Sequence, residues 1–165
     1  MLLQGLHDEI LGSRSATFTL EKWCRDHGVA EPVIVVARCC LVAESAPDPD
    51  RLSRLRVTED AAIRRRRVQL LYGGHVLCEA ENWYVPGRLT PEMNHVLETS
   101  DIPFGKVVRA LEPHRETFAT TRFWSAEHIP QSLFCVQALI LGPDHLPLAE
   151  VDEVYQRPLL EFPGG

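Results

Sequence analysis

Two pairs of strand-like runs, each joined by a short turn, constrain this chain more than any other feature. RRRVQLLY and HVLCEAENWYV flank Gly73-Gly74, and SLFCVQALIL and LAEVDEVYQ flank GPDHLP. Both pairs have the composition and turn chemistry of β-hairpins. The first predicts that residues 64 to 72 pair antiparallel with 76 to 85. Parallel neighbours would need a crossover of about a dozen residues or more. With helical segments lying outside these pairs, the pattern predicts an α+β fold, an antiparallel β-sheet flanked by helices.

The helices announce themselves by their ends. SATFTLEKWCRDHG (15 to 28) has Ser15 or Thr17 as its cap, Leu20, Trp23 and Cys24 as its apolar face, and Gly28 as its stop. In LTPEMNHVLET, Thr90 caps, Pro91 takes the first helical position and Glu92 suits the positive end, with Met93, Val96 and Leu97 as the buried stripe. PVIVVARCCLV (32 to 42) is β-branched and apolar and reads as a well-buried strand, followed by AESAPDPD as an exposed loop. DIPFG is a proline-glycine loop. The stretch from 111 to 131 is ambiguous, and HRETFATTRFW within it fits a strand.

At 165 residues the chain is expected to form one domain, 1–165. A formal net charge of -6, with Lys22 and Lys106 as the only lysines, argues against a nucleic-acid partner. No run approaches the roughly 18 apolar residues of a membrane span, and the N-terminus lacks the basic start of a signal peptide. The five cysteines form no C-x-x-C pair, and the seven histidines are scattered singly. The expectation is a cytoplasmic protein with no metal, no cofactor and no membrane span.

Four consecutive arginines, Arg64 to Arg67, stand out in so acidic a chain. They make either a basic patch or the start of a strand. Strand alternation puts Arg66, Val68 and Leu70 on one face and Arg65, Arg67 and Gln69 on the other. On the facing strand Cys78, Ala80, Asn82 and Tyr84 form one set. In the last strand Ala149, Val151 and Tyr155 define a core face that also carries Glu153, with Leu148, Glu150, Asp152 and Val154 opposite. An inward arginine and an inward glutamate allow two readings, a buried ion pair or a charged pocket in which arginine clamps a carboxylate.

These segments, in this order, resemble chorismate pyruvate-lyase and the wider chorismate-lyase-like superfamily. LGSRSATFTLE is similar to that family's early Ser-x-Thr segment leading into a helix, PVIVVARCC to its first strand, and RRVQLLYGG to its Arg-x-(Val/Ile)-x-Leu strand. EAENWYVP, DIPFG and LPLAEVDEVY are similar to its returning strand, its Thr-Pro-Leu-Gly loop and its Pro-Leu-rich strand carrying a glutamate. The resemblance implies an antiparallel sheet flanked by helices over a buried, cofactor-free ligand pocket beneath mobile flaps. It maps substrate binding onto Ala16 and Phe104 through their backbones, Arg66 as carboxylate clamp and Glu153 as acidic partner. Counting from Pro147 would instead put the acid on Asp152. Asn82 stands where the family pattern has a second pocket arginine.

The activity so implied is elimination of pyruvate from chorismate to give 4-hydroxybenzoate, a step of ubiquinone biosynthesis. Arg66 and Glu153 would be the catalytic residues, one orienting the dianion and the other holding the ring hydroxyl and moving a proton. Two rivals stand beside it. One is a non-catalytic binding domain of the same fold for an aromatic or cyclohexadiene carboxylate, as in the effector domains of transcription regulators, although 165 residues would leave no room for their DNA-binding helices. The other is a family enzyme acting on a related substrate. They are separated by whether chorismate yields pyruvate.

Overall fold

A computed structural model describes residues 2–162. Six strands, β1 (Val36–Glu44), β2 (Arg64–Tyr72), β3 (His75–Tyr84), β4 (His114–Arg122), β5 (Ser132–Leu141) and β6 (Pro147–Gln156), form one sheet in the order β1-β2-β3-β6-β5-β4. All neighbours are antiparallel. The two hairpins are adjacent pairs, β2 with β3 and β5 with β6. Pairing β3 with β6 joins the hairpins into one surface. Gly73 turns the first hairpin at φ 56, a backbone value that glycine takes without strain. The ambiguous stretch supplies β4, an edge strand.

The helices are α1 (Leu2–Leu11), α2 (Ala16–Asp26), α3 (Pro49–Leu55), α4 (Pro91–Thr99) and α5 (Phe104–Val107). Ser15 caps α2 by accepting from the Phe18 N–H, and Thr90 caps α4 by accepting from the Met93 N–H. Leu3, Leu6 and Ile10 of α1 and Leu20, Trp23 and Cys24 of α2 pack on Val68, Cys78, Val136 and Tyr155 of the sheet. A second cluster seats Leu97 of α4 and Phe104 of α5 against Tyr84, Ala138, Ile140, Ala149 and Val151. These four helices cover one face of the sheet, called inner below. On the outer face Arg51 and Arg54 of α3 reach Glu150 of β6.

Several sequence expectations need correction. The segment from 32 to 42 is not a well-buried strand. β1 lies at the sheet edge, and only Ala37 within it is buried, because one flank and one face have no neighbour. Of the α4 stripe, only Leu97 is buried. The loop read at AESAPDPD ends in a helix, since Asp48 accepts from the Arg51 N–H and Pro49 pre-sets the first turn. α1 was not foreseen at all. Among the described residues no helix is long and apolar enough to cross a membrane.

Candidate functional site

The inner face of the central strands carries the rows that alternation predicts. Arg66 lies opposite Asn82, Val68 opposite Ala80, and Ala80 opposite Glu153. Over this row sit the start of α2 and the loop leading into α5. Between them is a cleft of about 540 Å³ in envelope, in which the space open to water-sized occupants is about 50 Å³. Its apolar wall includes Val68, Leu70, Ala80, Val108, Ile140 and Val151, and its polar groups are Asn82, Arg115 and Glu153. Ala16, Phe104 and Gly105 also line it. At roughly 10–15 Å³ per water the interior holds a few waters, so a ring-sized ligand enters only as its walls yield. Outward, past Ser15 and Gly105, it meets a vestibule of about 1100 Å³ in envelope, open to solvent and lined by Arg14, Phe18, Arg109, Glu112 and His114.

Each sequence-predicted site residue has a definite place. Ala16, Asn82, Phe104 and Glu153 line the cleft, whereas Arg66 is not among its lining residues. Asp152 faces the opposite side, where it accepts from Arg51 Nη2 at 2.9 Å and from Gln137 Nε2 at 3.1 Å. Glu153 and Asp152 therefore serve different faces, as the alternation of a strand requires.

The sequence reading sets Arg66 and Glu153 in one ligand pocket, but only Glu153 lines the cleft. Arg66 is fully buried, and its Nη2 donates to the carbonyl oxygens of Ser100 at 3.1 Å and Ile102 at 2.9 Å. Its Nε and Nη1 are buried without a partner. Burial pushes its pKa down, and neighbours such as Cys39 and Tyr84 oppose that only in part. Arg66 thus fastens the segment that runs into Pro103, Phe104 and Gly105, the outer wall of the cleft. The four arginines are unequal: Arg64 pairs with Glu98 at 3.4 Å, Arg65 with Glu81 at 2.5 Å, and Arg67 is exposed. Arg65 shares a strand face with Arg67 yet is mostly covered, because it also lies over the Trp83 ring at 5.3 Å. Opposing acids break up the basic run.

The partner of Glu153 is Arg115, which the sequence reading missed. Arg115 starts on β4 opposite Ile140, and Glu153 lies on β6 opposite Val136. The line between them crosses β5 at Ala138, a small residue that leaves room for the long side chain. The guanidinium meets the carboxylate through both terminal nitrogens, Nη1 to Oε2 at 3.2 Å and Nη2 to Oε1. The two side chains are 2% and 6% exposed. Tyr155 donates its hydroxyl to the same Oε1 at 2.8 Å. Burial alone would lower the Arg115 pKa, but the Glu153 carboxylate holds it above the ordinary arginine value. Tyr155 and Cys78, both buried beside this pair, are pushed well up, first by desolvation and then by the Glu153 charge. Two polar atoms of lining residues are left over, Arg115 Nε and Asn82 Oδ1, each buried without a partner.

The arrangement can hold a small molecule against an apolar wall and offer it one donor and one acceptor deep inside. As it stands it presents no free acid or base, since Glu153 is committed on both oxygens.

No family model matches the chain. The uncharacterized protein y4mC of Sinorhizobium fredii (strain NBRC 101917 / NGR234) is 34% identical over 181 residues, which cover 98% of this chain and 76% of y4mC. The effector domain of PhnF from Mycobacterium smegmatis superposes with a TM-score of 0.64 at 11% identity, covering 90% of this chain and 91% of that domain. A transcriptional regulator of the GntR family from Enterococcus faecalis V583 gives a TM-score of 0.56 at 15% identity, over 76% of this chain and 96% of that one. YydK of Bacillus subtilis gives 0.55 at 15% identity over 76% of this chain. This chain spans 60% of YydK and 66% of the longer PhnF structure. At such identities the likeness is one of fold: an α+β, six-stranded antiparallel sheet flanked by helices, the chorismate-lyase-like fold of these regulator domains.

Proposed function

The chain belongs to the family of y4mC, and on that premise we propose that it is a small-molecule-binding domain whose ligand lies in the cleft between α2, α5 and the inner sheet face. The observation that carries this reading is the cleft itself. It is a concave, mainly apolar site with a few convergent polar groups, the usual form of a small-ligand pocket. The fold supports the same reading, since PhnF is described by an effector domain of this architecture. Binding serves regulation in this reading, with the domain acting as the ligand-responsive part of a larger assembly. Asn82, Phe104 and the Ala16 backbone contact the ligand, Glu153 and Arg115 set its polar end, and Arg66 holds the 100–105 segment in place.

Chorismate lyase activity has no support among the structural neighbours, which are regulators. The site geometry points the same way: Glu153 is engaged by Arg115 and Tyr155, and Arg66 is spent on backbone carbonyls. The experiment is a thermal-shift and calorimetric screen of small aromatic carboxylates, 4-hydroxybenzoate and benzoate included, run beside a chorismate assay. Saturable binding without pyruvate release is the expected result. Pyruvate release at an enzymatic rate would restore the lyase reading, and no binding across the screen would remove the binding reading.

A further inference from the structure

The polar end of the cleft is built as a matched pair of charges that fill one another. Arg115 presents a planar fork, which recognises a carboxylate through two parallel hydrogen bonds. In the structure that carboxylate comes from Glu153, a residue that lines the same cleft. Two details distinguish this pair from an inert core ion pair. It lies on the wall of a cavity, and Arg115 keeps a buried Nε–H with no acceptor while Asn82 keeps a buried Oδ1 with no donor.

Resting on the small-molecule reading above, we propose that Arg115 is the anchor for a ligand carboxylate and that Glu153 occupies it in the empty site as an internal stand-in. An entering acid takes the Arg115 fork by exchange and leaves its proton on the displaced Glu153, so one buried guanidinium–carboxylate pair replaces another with no net charge added. Glu153 then turns aside and keeps the Tyr155 hydroxyl, which already donates to its Oε1 at 2.8 Å. The exchange makes Glu153 a competitor that sets affinity and selects for carboxylates over their neutral analogues. The exposed Arg14 and Arg109 at the vestibule favour approach of the same ligand class.

The test uses benzoate and benzamide, which share a shape and differ in charge, with the whole chain and calorimetry. Glu153→Gln removes the competing charge and leaves Arg115 unpaired. This variant should bind benzoate at least ten times more tightly than the wild type does, with little change for benzamide. Equal binding of the two probes by Glu153→Gln, or weaker benzoate binding than in the wild type, overturns the exchange while leaving the cleft as a ligand site. Failure of every protein to bind either probe overturns the binding reading as well. Should Glu153→Gln fail to fold, the double variant Arg115→Met/Glu153→Met leaves neither charge alone. It should bind benzamide at least as well as benzoate, and a retained preference for benzoate there rules out Arg115 as the anchor.

Discussion

Arg115 reaches across a whole strand to close on Glu153, and the pair forms the polar floor of a cleft that the inner sheet face shares with both α2 and α5. The arginine that the sequence singles out, Arg66, does something else. It ties down the backbone at Ser100 and Ile102 and so supports the cleft wall from behind.

That role predicts a local effect. Arg66→Met keeps most of the volume but removes both donors, leaving two carbonyls short of partners. Amide hydrogen exchange across residues 100–105 should quicken at least about tenfold, roughly the loss of one to two hydrogen bonds from a local opening. Arg67→Met, on the exposed face, should leave the same amides unchanged. Identical exchange in both variants would remove the fastening role.

Gly105 faces the helix cap. A Cβ there would lie 2.9 Å from Ser15 Oγ and 3.4 Å from Thr17 Oγ1. Gly105→Ala should therefore push the Ser15 cap off α2, at about 1 kcal/mol by chemical denaturation, and narrow the cleft mouth. Benzoate binding should weaken more than that loss of stability would suggest. Unaltered binding would mean that the ligand does not pass between Ser15 and Gly105.

The outer face offers a control. Glu150 is fully buried and held by both Arg51 and Arg54. Removing Glu150 leaves Arg54 without an acid and Arg51 with Asp152 alone, so Glu150→Ala should cost about 3 kcal/mol, the low end for a buried pair because Arg54 is a third exposed. The affinity of the surviving folded protein for any cleft ligand should stay the same, since Glu150 points away from it. A parallel loss of affinity would show that the two faces are coupled.

The cysteines differ in reactivity. Burial pushes the Cys24 thiol up to about 11, with the nearby Glu21 adding to it, and burial likewise pushes the Cys78 thiol well up. Cys40 is exposed. Iodoacetamide at pH 8 should label Cys40 first and spare Cys24 and Cys78 in the native state, as peptide mass spectrometry can read. The sign for stability follows: the unfolded chain loses the Cys24 proton at lower pH than the folded one. Folding should thus weaken as pH rises from about 9 towards 11, and not below it. Early labelling of Cys24 would contradict its burial.

Much of the frame was legible because strand alternation assigns faces whatever the rest of the fold does. It placed Arg66 and Glu153 inward and Asp152 on the opposite face, and the two hairpins with their turns came from short-range chemistry. What stayed hidden depended on long-range neighbours. Edge and central strands share the same β-branched composition, so β1 could not be told from a buried strand. Asp48 and Pro49 carry a helix-start signal, but in a proline-rich run it looks like a loop. The apolar spacing of Leu3, Leu6 and Ile10 was a readable sign of α1 that went unused. Arg115 lay in the ambiguous stretch, and its partner is 38 residues away on a strand it does not touch. Only the sheet order brings them together.

A small carboxylate bound in this cleft is what the proposed binding role requires. The most direct measurement is an NMR titration of isotope-labelled protein with benzoate, following backbone amides and the Asn82 side-chain amide. Saturable shifts concentrated at Ala16, Thr17, Asn82, Gly105 and Glu153, with α3 and the outer face silent, are the predicted result. Shifts confined to the outer face, or none at millimolar benzoate, would contradict it.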